Sequence, residues 1–490
     1  MLLKTDPEFI QSYLTDASNF KTNECKGVYI PETIEEISDI LKEANCTKTP
    51  ITISGAGTGL VGGRVPREGY ILSLEKFNKI LSLDKENKLC QVQANVTLAE
   101  LQEFLKGHFL FYPPDPTEKN CSIGGTVATN ASGARTLKYG ATRNWIYAIK
   151  VVLPDGEIFS LNRNQIIANN SIFNFKTESG KIYSFNLPQI KIPGVKNAAG
   201  YFIKPNMDLL DLFIGSEGTL GVITECTVKL LESPKELISM VIFFSTFDDA
   251  YSFVELARTS KTKNKHSLIE PRALEFFDDK ALEFLSHKFT KVKNKNFAIW
   301  YEQEIYEENS EKILEELFDL ILKCKGNPDE IWFAFNEKEI YDIKEFRHSI
   351  SALVNEYISR NNLRKFGTDT AVLSEHFRNF YNYCINQCKE NSINYVAYGH
   401  IGNNHLHLNM LPKNENEIQI ASNLYKKFCI KAVELGGTIS AEHGIGKIKR
   451  EYFELMYPED KLYGIFQIKK IFDPLLILNK YNIFPDRFFD

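Results

Sequence analysis

The stretch Ser54-Gly-Ala-Gly-Thr-Gly-Leu-Val-Gly-Gly63 places five glycines within nine residues, directly after the apolar run Pro50-Ile-Thr-Ile. Glycine removes the side chain where a ligand must meet the backbone, and successive amide N–H groups can then cradle a pyrophosphate. Gly57-x-Gly59-x-x-Gly62 also satisfies the spacing of a nucleotide-binding turn that opens a helix. The chain continues, however, as Gly63-Arg-Val-Pro-Arg-Glu-Gly, with a proline and no apolar stripe. A loop-type phosphate site is therefore expected rather than a Rossmann turn. A glycine-rich turn without a ligand is the plain alternative.

Working outward, Ile34, Ile37, Ile40 and Leu41 trace one helical stripe ahead of the strand at Pro50–Ser54. Strand-like runs occur at Tyr70–Leu74, Cys90–Ala94 and Ala148–Leu153, with an amphipathic helix near Leu98–Leu105. The texture is α+β rather than strict βαβ alternation. A second glycine-rich run, Cys121-Ser-Ile-Gly-Gly-Thr-Val-Ala-Thr-Asn-Ala-Ser-Gly-Ala-Arg-Thr-Leu-Lys-Tyr-Gly140, is preceded by Pro113-Pro-Asp-Pro. Its small residues suit a buried path for an extended cofactor, with Thr126, Thr129, Asn130 and Ser132 supplying hydrogen bonds. Residues 162–200 are polar and turn-rich without clear periodicity, and read as an excursion within the first domain. After Pro234 the strand-like Leu237–Phe244 leads into helices rich in Phe, Glu and Lys through Cys324, and a second domain is placed there.

Composition narrows the function. With 490 residues, more than one domain is expected. Lys+Arg 58 against Asp+Glu 63 gives a net charge of -5, which offers no pull toward nucleic acid or anionic lipid. The N-terminus meets Pro7 and acidic residues before an apolar core can form, so no export signal is expected. The apolar runs are far shorter than the roughly 20 residues of a membrane helix, so no transmembrane segment is expected either. Nine cysteines lie scattered without a Cys-x-x-Cys pair, which fits reduced thiols in a cytoplasmic protein without haem or iron-sulfur centres. Cys384 and Cys388 have helical spacing and read as packing residues.

Of nine histidines, four fall in Gly399-His-Ile-Gly-Asn-Asn-His-Leu-His-Leu-Asn409 and Ser440-Ala-Glu-His-Gly444. Alternation puts His405, His407 and Asn409 on one strand face and Leu406, Leu408 and Met410 on the other. Two imidazoles and a carboxylate form a three-ligand set that leaves positions open for substrate oxygens, as in catalytic zinc sites. A lone histidine would more often be a hydrogen-bonded strand residue; two matched segments favour the ligand reading.

The two glycine runs, together with Leu212-Phe-Ile-Gly-Ser-Glu-Gly-Thr-Leu-Gly-Val-Ile-Thr224, closely resemble the FAD-binding domain of the vanillyl-alcohol oxidase / p-cresol methylhydroxylase superfamily. The resemblance is to its branch of D-lactate dehydrogenases, glycolate oxidase catalytic subunits and D-2-hydroxyglutarate dehydrogenases, and it covers nearly the whole chain. It implies a two-subdomain FAD-binding domain over 1–233, an α+β substrate (cap) domain over 234–470, and a C-terminal segment, 471–490, that returns to the first domain. Ser54, Gly55, Ala56, Gly57, Thr58 and Gly59 would hold the pyrophosphate. Pro114 with Gly124, Gly125, Thr126, Thr129, Asn130, Ser132, Gly133 and Tyr139 would line the flavin. Gly218, Gly221 and Ile223 would meet the adenine side, and Asn479 would come back to the flavin from Asp473-Pro-Leu-Leu-Ile-Leu-Asn-Lys480. No histidine lies in either glycine run, so the FAD is expected to be non-covalent.

The histidine segments are similar to the family's Gly-His-x-Gly-Asp-Gly-Asn-x-His-x-Asn and Ser-Ala-Glu-His-Gly motifs. The resemblance makes His400, His407 and Glu442 ligands of a divalent metal, zinc by type, and His443 the base. The chain departs at Asn403-Asn-His, where the family has Asp-Gly-Asn; this opens the loop's shape and the question of His405 as a competing ligand. Arg347 and Lys365 match positions that grip substrate carboxylates, and Ser351 and Asn409 complete the expected substrate contacts. The implied reaction is metal-assisted oxidation of a small D-2-hydroxy acid by hydride transfer to flavin, with an electron-acceptor protein or quinone taking the electrons. Such a partner could hold the protein at a membrane periphery, and a homodimer is one open arrangement. An ether-forming alkylglycerone-phosphate-synthase-like transferase and a non-catalytic flavin subunit of an oxidase complex are the rival readings.

Overall fold

The computed structural model describes residues 2–22, 24–306, 309–361 and 363–489. Helix Ile34–Thr47 starts where the Thr33 hydroxyl accepts the Glu36 N–H and ends at Lys48 in the left-handed conformation. Its buried face, Ile37, Ile40, Leu41 and Ala44, packs on Ile51 and Leu72 of a four-stranded sheet. In that sheet Val28–Ile30, Tyr70–Ser73 and Ile51–Ser54 run parallel, with Leu2–Lys4 antiparallel at the edge. The glycine stretch leaves the end of Ile51–Ser54 and continues to Gly69 without helix, as its proline required.

A second, antiparallel sheet contains Ile80–Asp84, Leu89–Gln93, Val222–Lys229, Ile146–Val152 and Ile158–Asn162, in that spatial order. Against it lies the second glycine run, which folds into the helix Ile123–Thr129 capped by Ser122. A Cβ on Gly124 would stand 2.6 Å from the Ala94 methyl, so the helix can approach the sheet only with glycine there. The chain's excursion at 162–200 contains order that its composition concealed. Ile172–Lys176 and Ile182–Asn186 pair as an antiparallel hairpin, and Tyr183 and Phe185 pack on Phe472 of helix Glu459–Phe472.

The remaining chain builds a sheet of eight strands, in the order Trp332–Phe333, Glu236–Phe244, Phe297–Ile305, Ala273–Phe277, Tyr395–Gly399, His405–Met410 and Phe366–Gly367, with Thr370–Ala371 also on His405–Met410. Alternate residues divide its faces. Val241 and Phe243 turn toward helices Asp279–Ser286 and Glu337–Arg360, whereas Met240, Ile242 and Phe244 turn toward Phe247–Lys263 and Ser310–Lys323. The helix-rich reading of 247–324 therefore needs correction. Ala273–Phe277 and Phe297–Ile305 are central strands covered on both faces, and so lack the alternation that marks a half-exposed strand. Cys384 and Cys388 are both buried in helix Ser374–Glu390.

Contacts between distant segments tie the sheets together. The end of the second glycine run meets the large sheet through Lys138, which lies 2.9 Å from Glu304 Oε2, and through the Tyr139 hydroxyl, which donates to Glu304. The C-terminal segment returns beside the first strand of the glycine stretch: Ile51 N–H donates to Ile477 O at 2.8 Å and Asn479 N–H to Ile51 O at 2.9 Å. Asn479 then accepts from Ile53 N–H at 2.7 Å and donates to Glu217 O at 2.7 Å. Asn479→Ala would strand both backbone groups in a buried place. Each such loss costs about 1–3 kcal/mol, so urea unfolding is expected to show roughly 2–4 kcal/mol less stability.

Candidate active site

Strand His405–Met410 is the base of the site. Gly399 ends the neighbouring strand so close to it that a Cβ would lie 2.6 Å from His405 O and 3.1 Å from His407 N. This close approach brings His400 beside His407. The turn between them is held by its own side chain in spite of the altered loop. Asn404 takes a left-handed conformation, φ 52°, which asparagine tolerates. Its side chain accepts from Tyr251 Oη and Arg258 Nη1 and donates to Ser374 Oγ.

The second segment, Ser440–Gly444, has no regular structure and is held by Asp369. Asp369 Oδ2 accepts from Ser440 Oγ at 2.8 Å, His443 N–H at 3.0 Å and Lys449 Nζ at 2.7 Å. Glu442 is thereby aimed at the histidine strand. His400 Nε2 and His407 Nε2 each lie 3.3 Å from Glu442 Oε1. Those separations match the roughly 3.3 Å edge of a tetrahedron with metal–ligand bonds of about 2.0–2.1 Å. The outer nitrogens are fixed as well: His400 Nδ1 lies 2.6 Å from Glu275 Oε1 and His407 Nδ1 lies 3.3 Å from Thr368 O. Acceptors at these positions select the tautomers that leave both Nε2 lone pairs facing Glu442. The donor set thus fits a divalent metal. Ligand atoms of His400, His405, His407 and Glu442 lie within 4.8 Å of one another, as do those of Asp369, His407, Glu442 and His443.

Charge is balanced inside this cluster. Lys196 Nζ lies 2.6 Å from Glu442 Oε2, and Arg347 Nη2 lies 2.9 Å from Glu275 Oε2. Burial opposes ionisation of Glu442, but Lys196 and His400 outweigh it and hold the carboxyl well below its usual range. Glu275 is likewise opposed by burial and still lowered, to about 2, by His400 and Arg347. Burial disfavours charge on His400, yet the Glu275 carboxylate raises its pKa; His407 is lowered by burial. These carboxylates therefore remain ionised at neutral pH.

His443 sits at the rim. Its Nδ1 is 3.3 Å from Asp369 Oδ2, its Nε2 is 3.6 Å from Glu442 Oε1, and its ring stacks on His407 with centroids 5.5 Å apart. A carboxylate on one nitrogen leaves the other free to move a proton.

The expected substrate contacts lie around this rim in different states. Arg347 is committed to Glu275 through Nε and Nη2 and donates from Nη1 to Thr117 Oγ1 at 2.9 Å. Ser351 Oγ lies 3.1 Å from Tyr398 Oη, and Asn409 is buried with its Nδ2 unpartnered among the described residues. Lys365 is exposed, with Nζ bonded to Asn355 Oδ1 at 2.9 Å. Of the expected flavin contacts, Ser132 touches the cluster, its Oγ 3.5 Å from Glu442 Oε2. Gly133 lies so close to Asp115 O that a Cβ would be 2.0 Å away. Thr126 and Thr129 instead donate to Ile123 O and Gly125 O inside their own helix. Gly218 packs against Asn479, Gly221 stands just before the central strand near Val152 O, and Ile223 pairs with Val151 within it.

Several contributors escaped the sequence reading. Lys196 lies in the excursion, Glu275 on an unrecognised central strand, and Asp369 in Gly367-Thr-Asp-Thr. Arg64, inside the first glycine loop, sends its guanidinium into the space a Cβ on Gly57 would fill. Glu217, quoted within the third motif, accepts from Ile445 N–H and Gly446 N–H and so ties that motif to the Glu442 loop. An unpaired charge in a run of small or apolar residues was the available signal.

Comparison with known proteins agrees with this architecture. Residues 25–162 match the FAD binding domain family, and residues 233–483 match the C-terminal domain of FAD linked oxidases. The chain is 32% identical to the D-lactate dehydrogenase of Anaerostipes hadrus, over 92% of this chain and 87% of that one. It is 27% identical to the D-2-hydroxyglutarate dehydrogenase of Stutzerimonas stutzeri, over 98% and 95%. The solved structure of 4-ethylphenol oxidase from Gulosibacter chungangensis shares the fold at a TM-score of 0.71 with 17% identity, covering 99% of this chain and 95% of that chain. An FAD binding domain joined to the C-terminal domain of FAD linked oxidases, with relatives of this kind, marks a flavin-dependent oxidoreductase. The chain belongs to the FAD-linked oxidases. Among the described residues, no helix is long and apolar enough to cross a membrane.

Proposed function

We propose that the chain oxidises a D-2-hydroxy acid of lactate, glycolate or 2-hydroxyglutarate type to the 2-oxo acid, using non-covalent FAD and a divalent metal, zinc by its donor set. The observation that carries this reading is the convergence of His400, His407 and Glu442 with His443 beside them. His400, His407 and Glu442 would hold the metal; Ser54–Gly59, the second glycine run, Gly218 and Asn479 would hold the FAD. When bound, the flavin supplies a hydride acceptor and the metal an electrophile for the substrate's hydroxyl and carboxylate oxygens.

The protein's own part is orientation and proton transfer. His443 takes the hydroxyl proton at Nε2, and Asp369 at Nδ1 stabilises the imidazolium that results. Lys196 holds Glu442 Oε2, and Oε1 lies 3.3 Å from Nε2 of both His400 and His407. Arg347, braced by Glu275, and Lys365, bonded to a neutral partner, are the cations for substrate carboxylates, with Ser351 and Asn409 beside them. Electrons then pass to a protein or quinone acceptor, which accords with a cytoplasmic protein that meets a membrane through its partner.

Anaerobic mixing with paired D and L forms of lactate and 2-hydroxyglutarate, and with glycolate, tests the reading through flavin bleaching. A D-acid is expected to reduce the flavin much faster than its L partner, because only one hand can present both its C2 hydrogen to the flavin and its hydroxyl to His443. Reduction by none of the panel, or by the L acids alone, would overturn it.

A further inference from the structure

We propose that His405 is a fourth protein ligand, so that the metal is held by three imidazoles and one carboxylate. This rests on the proposed metal site and extends it to a residue outside the three-ligand set. His405 is 1% exposed, and neither of its ring nitrogens makes a hydrogen bond among the described residues. A buried acceptor left unmet is destabilising, and a bound cation would satisfy it.

The orientation of the ring supports this. His405 Nε2 lies 2.9 Å from Asp369 Oδ1, and its Nδ1 faces inward, 4.0 Å from Glu442 Oε2. His400 and His407 also set an oxygen beside the outer nitrogen and Glu442 beside the inner one, but through Nδ1 and Nε2 respectively, so the His405 ring is turned the other way round. Ring centroids of His405 lie 4.3 Å from His407 and 5.2 Å from His400. One ligand atom from each of the three imidazoles and from Glu442 lies within 4.8 Å of the others, close enough for one ion to engage all four. Among the described residues, no side chain bonds the inner lone pair of His405. Lys196, the cation beside Glu442, bonds the carboxylate and not the ring.

Three imidazoles favour zinc, cobalt or nickel over magnesium or calcium. A fourth protein ligand also leaves one position fewer for substrate oxygens.

The test uses the intact, FAD-loaded protein and Co²⁺ as the probe, with binding and spectroscopy as readouts. X-ray absorption of the Co²⁺ form is expected to show scattering from three imidazoles, and His405→Asn is expected to weaken Co²⁺ binding by about 100-fold or more, at least the upper range for loss of an outer contact. Two imidazoles in the spectrum, or unchanged affinity in His405→Asn, would overturn the role of His405 and leave the three-ligand site standing. No uptake of Co²⁺ or Zn²⁺ by the unaltered protein would overturn both. If His405→Asn does not fold, the imidazole count in the unaltered protein decides alone.

Discussion

His443→Ala is expected to slow anaerobic flavin reduction by a D-2-hydroxy acid by about 10²–10⁴-fold, the usual span of a lost general base, with FAD still bound. The expectation comes from position. His443 sits at the rim, 24% exposed, with Asp369 against Nδ1 and Nε2 directed to the cluster. Its backbone N–H, unaffected by the change, continues to hold Asp369. The glycine loops that would carry FAD do not depend on its ring, so the oxidised flavin spectrum should be intact. Stopped-flow reduction with a D-2-hydroxy acid checks this. A variant that reduces flavin at the normal rate would remove His443 from the mechanism.

The second large effect is expected at Glu442. Glu442→Gln keeps the shape of the side chain but removes the charge shared by His400, His407 and Lys196. Divalent metal content, read by elemental analysis after dialysis, should fall to background, and flavin reduction should fall with it. Stability should fall as well. Lys196 is 2% exposed and would be left as a buried cation without its carboxylate, a situation that costs about 3–5 kcal/mol. Adding Lys196→Met should restore most of that stability, because the unpaired charge goes with it, while metal binding and turnover stay lost. Recovery of metal in the double variant would mean that Glu442 is no ligand. Full stability in the single variant would mean that the Lys196 pair carries no weight.

How much of this was legible in the sequence depended on how local each signal is. The absence of a helix after Gly63 could be read from Pro66 and its neighbours, because proline and a missing apolar stripe act within a few residues. The pairing of His405 with His407 on one strand face came from a period of two. The central strands Ala273–Phe277 and Phe297–Ile305 could not be read in this way, since burial on both faces removes the alternation and leaves Glu275, Glu302 and Glu304 looking like surface charges. The hairpin Ile172–Lys176 with Ile182–Asn186 was obscured by the polar residues between its apolar ones, and its partner, Phe472, lies far along the chain.

By itself the sequence determined the kinds of chemistry available: glycine-rich runs that leave the backbone open, a concentration of imidazole and carboxylate in two short segments, and no charge excess suited to nucleic acid. Those are properties of residue type and near spacing, and they survive any fold. Only the tertiary structure decided which groups meet. Glu442 needed Asp369 to hold its loop, Lys196 to fix its outer oxygen and Gly399 to let His400 approach His407. These partners come from segments distant in sequence, and each contact depends on distances of a few ångströms set by packed strands, which no local pattern encodes.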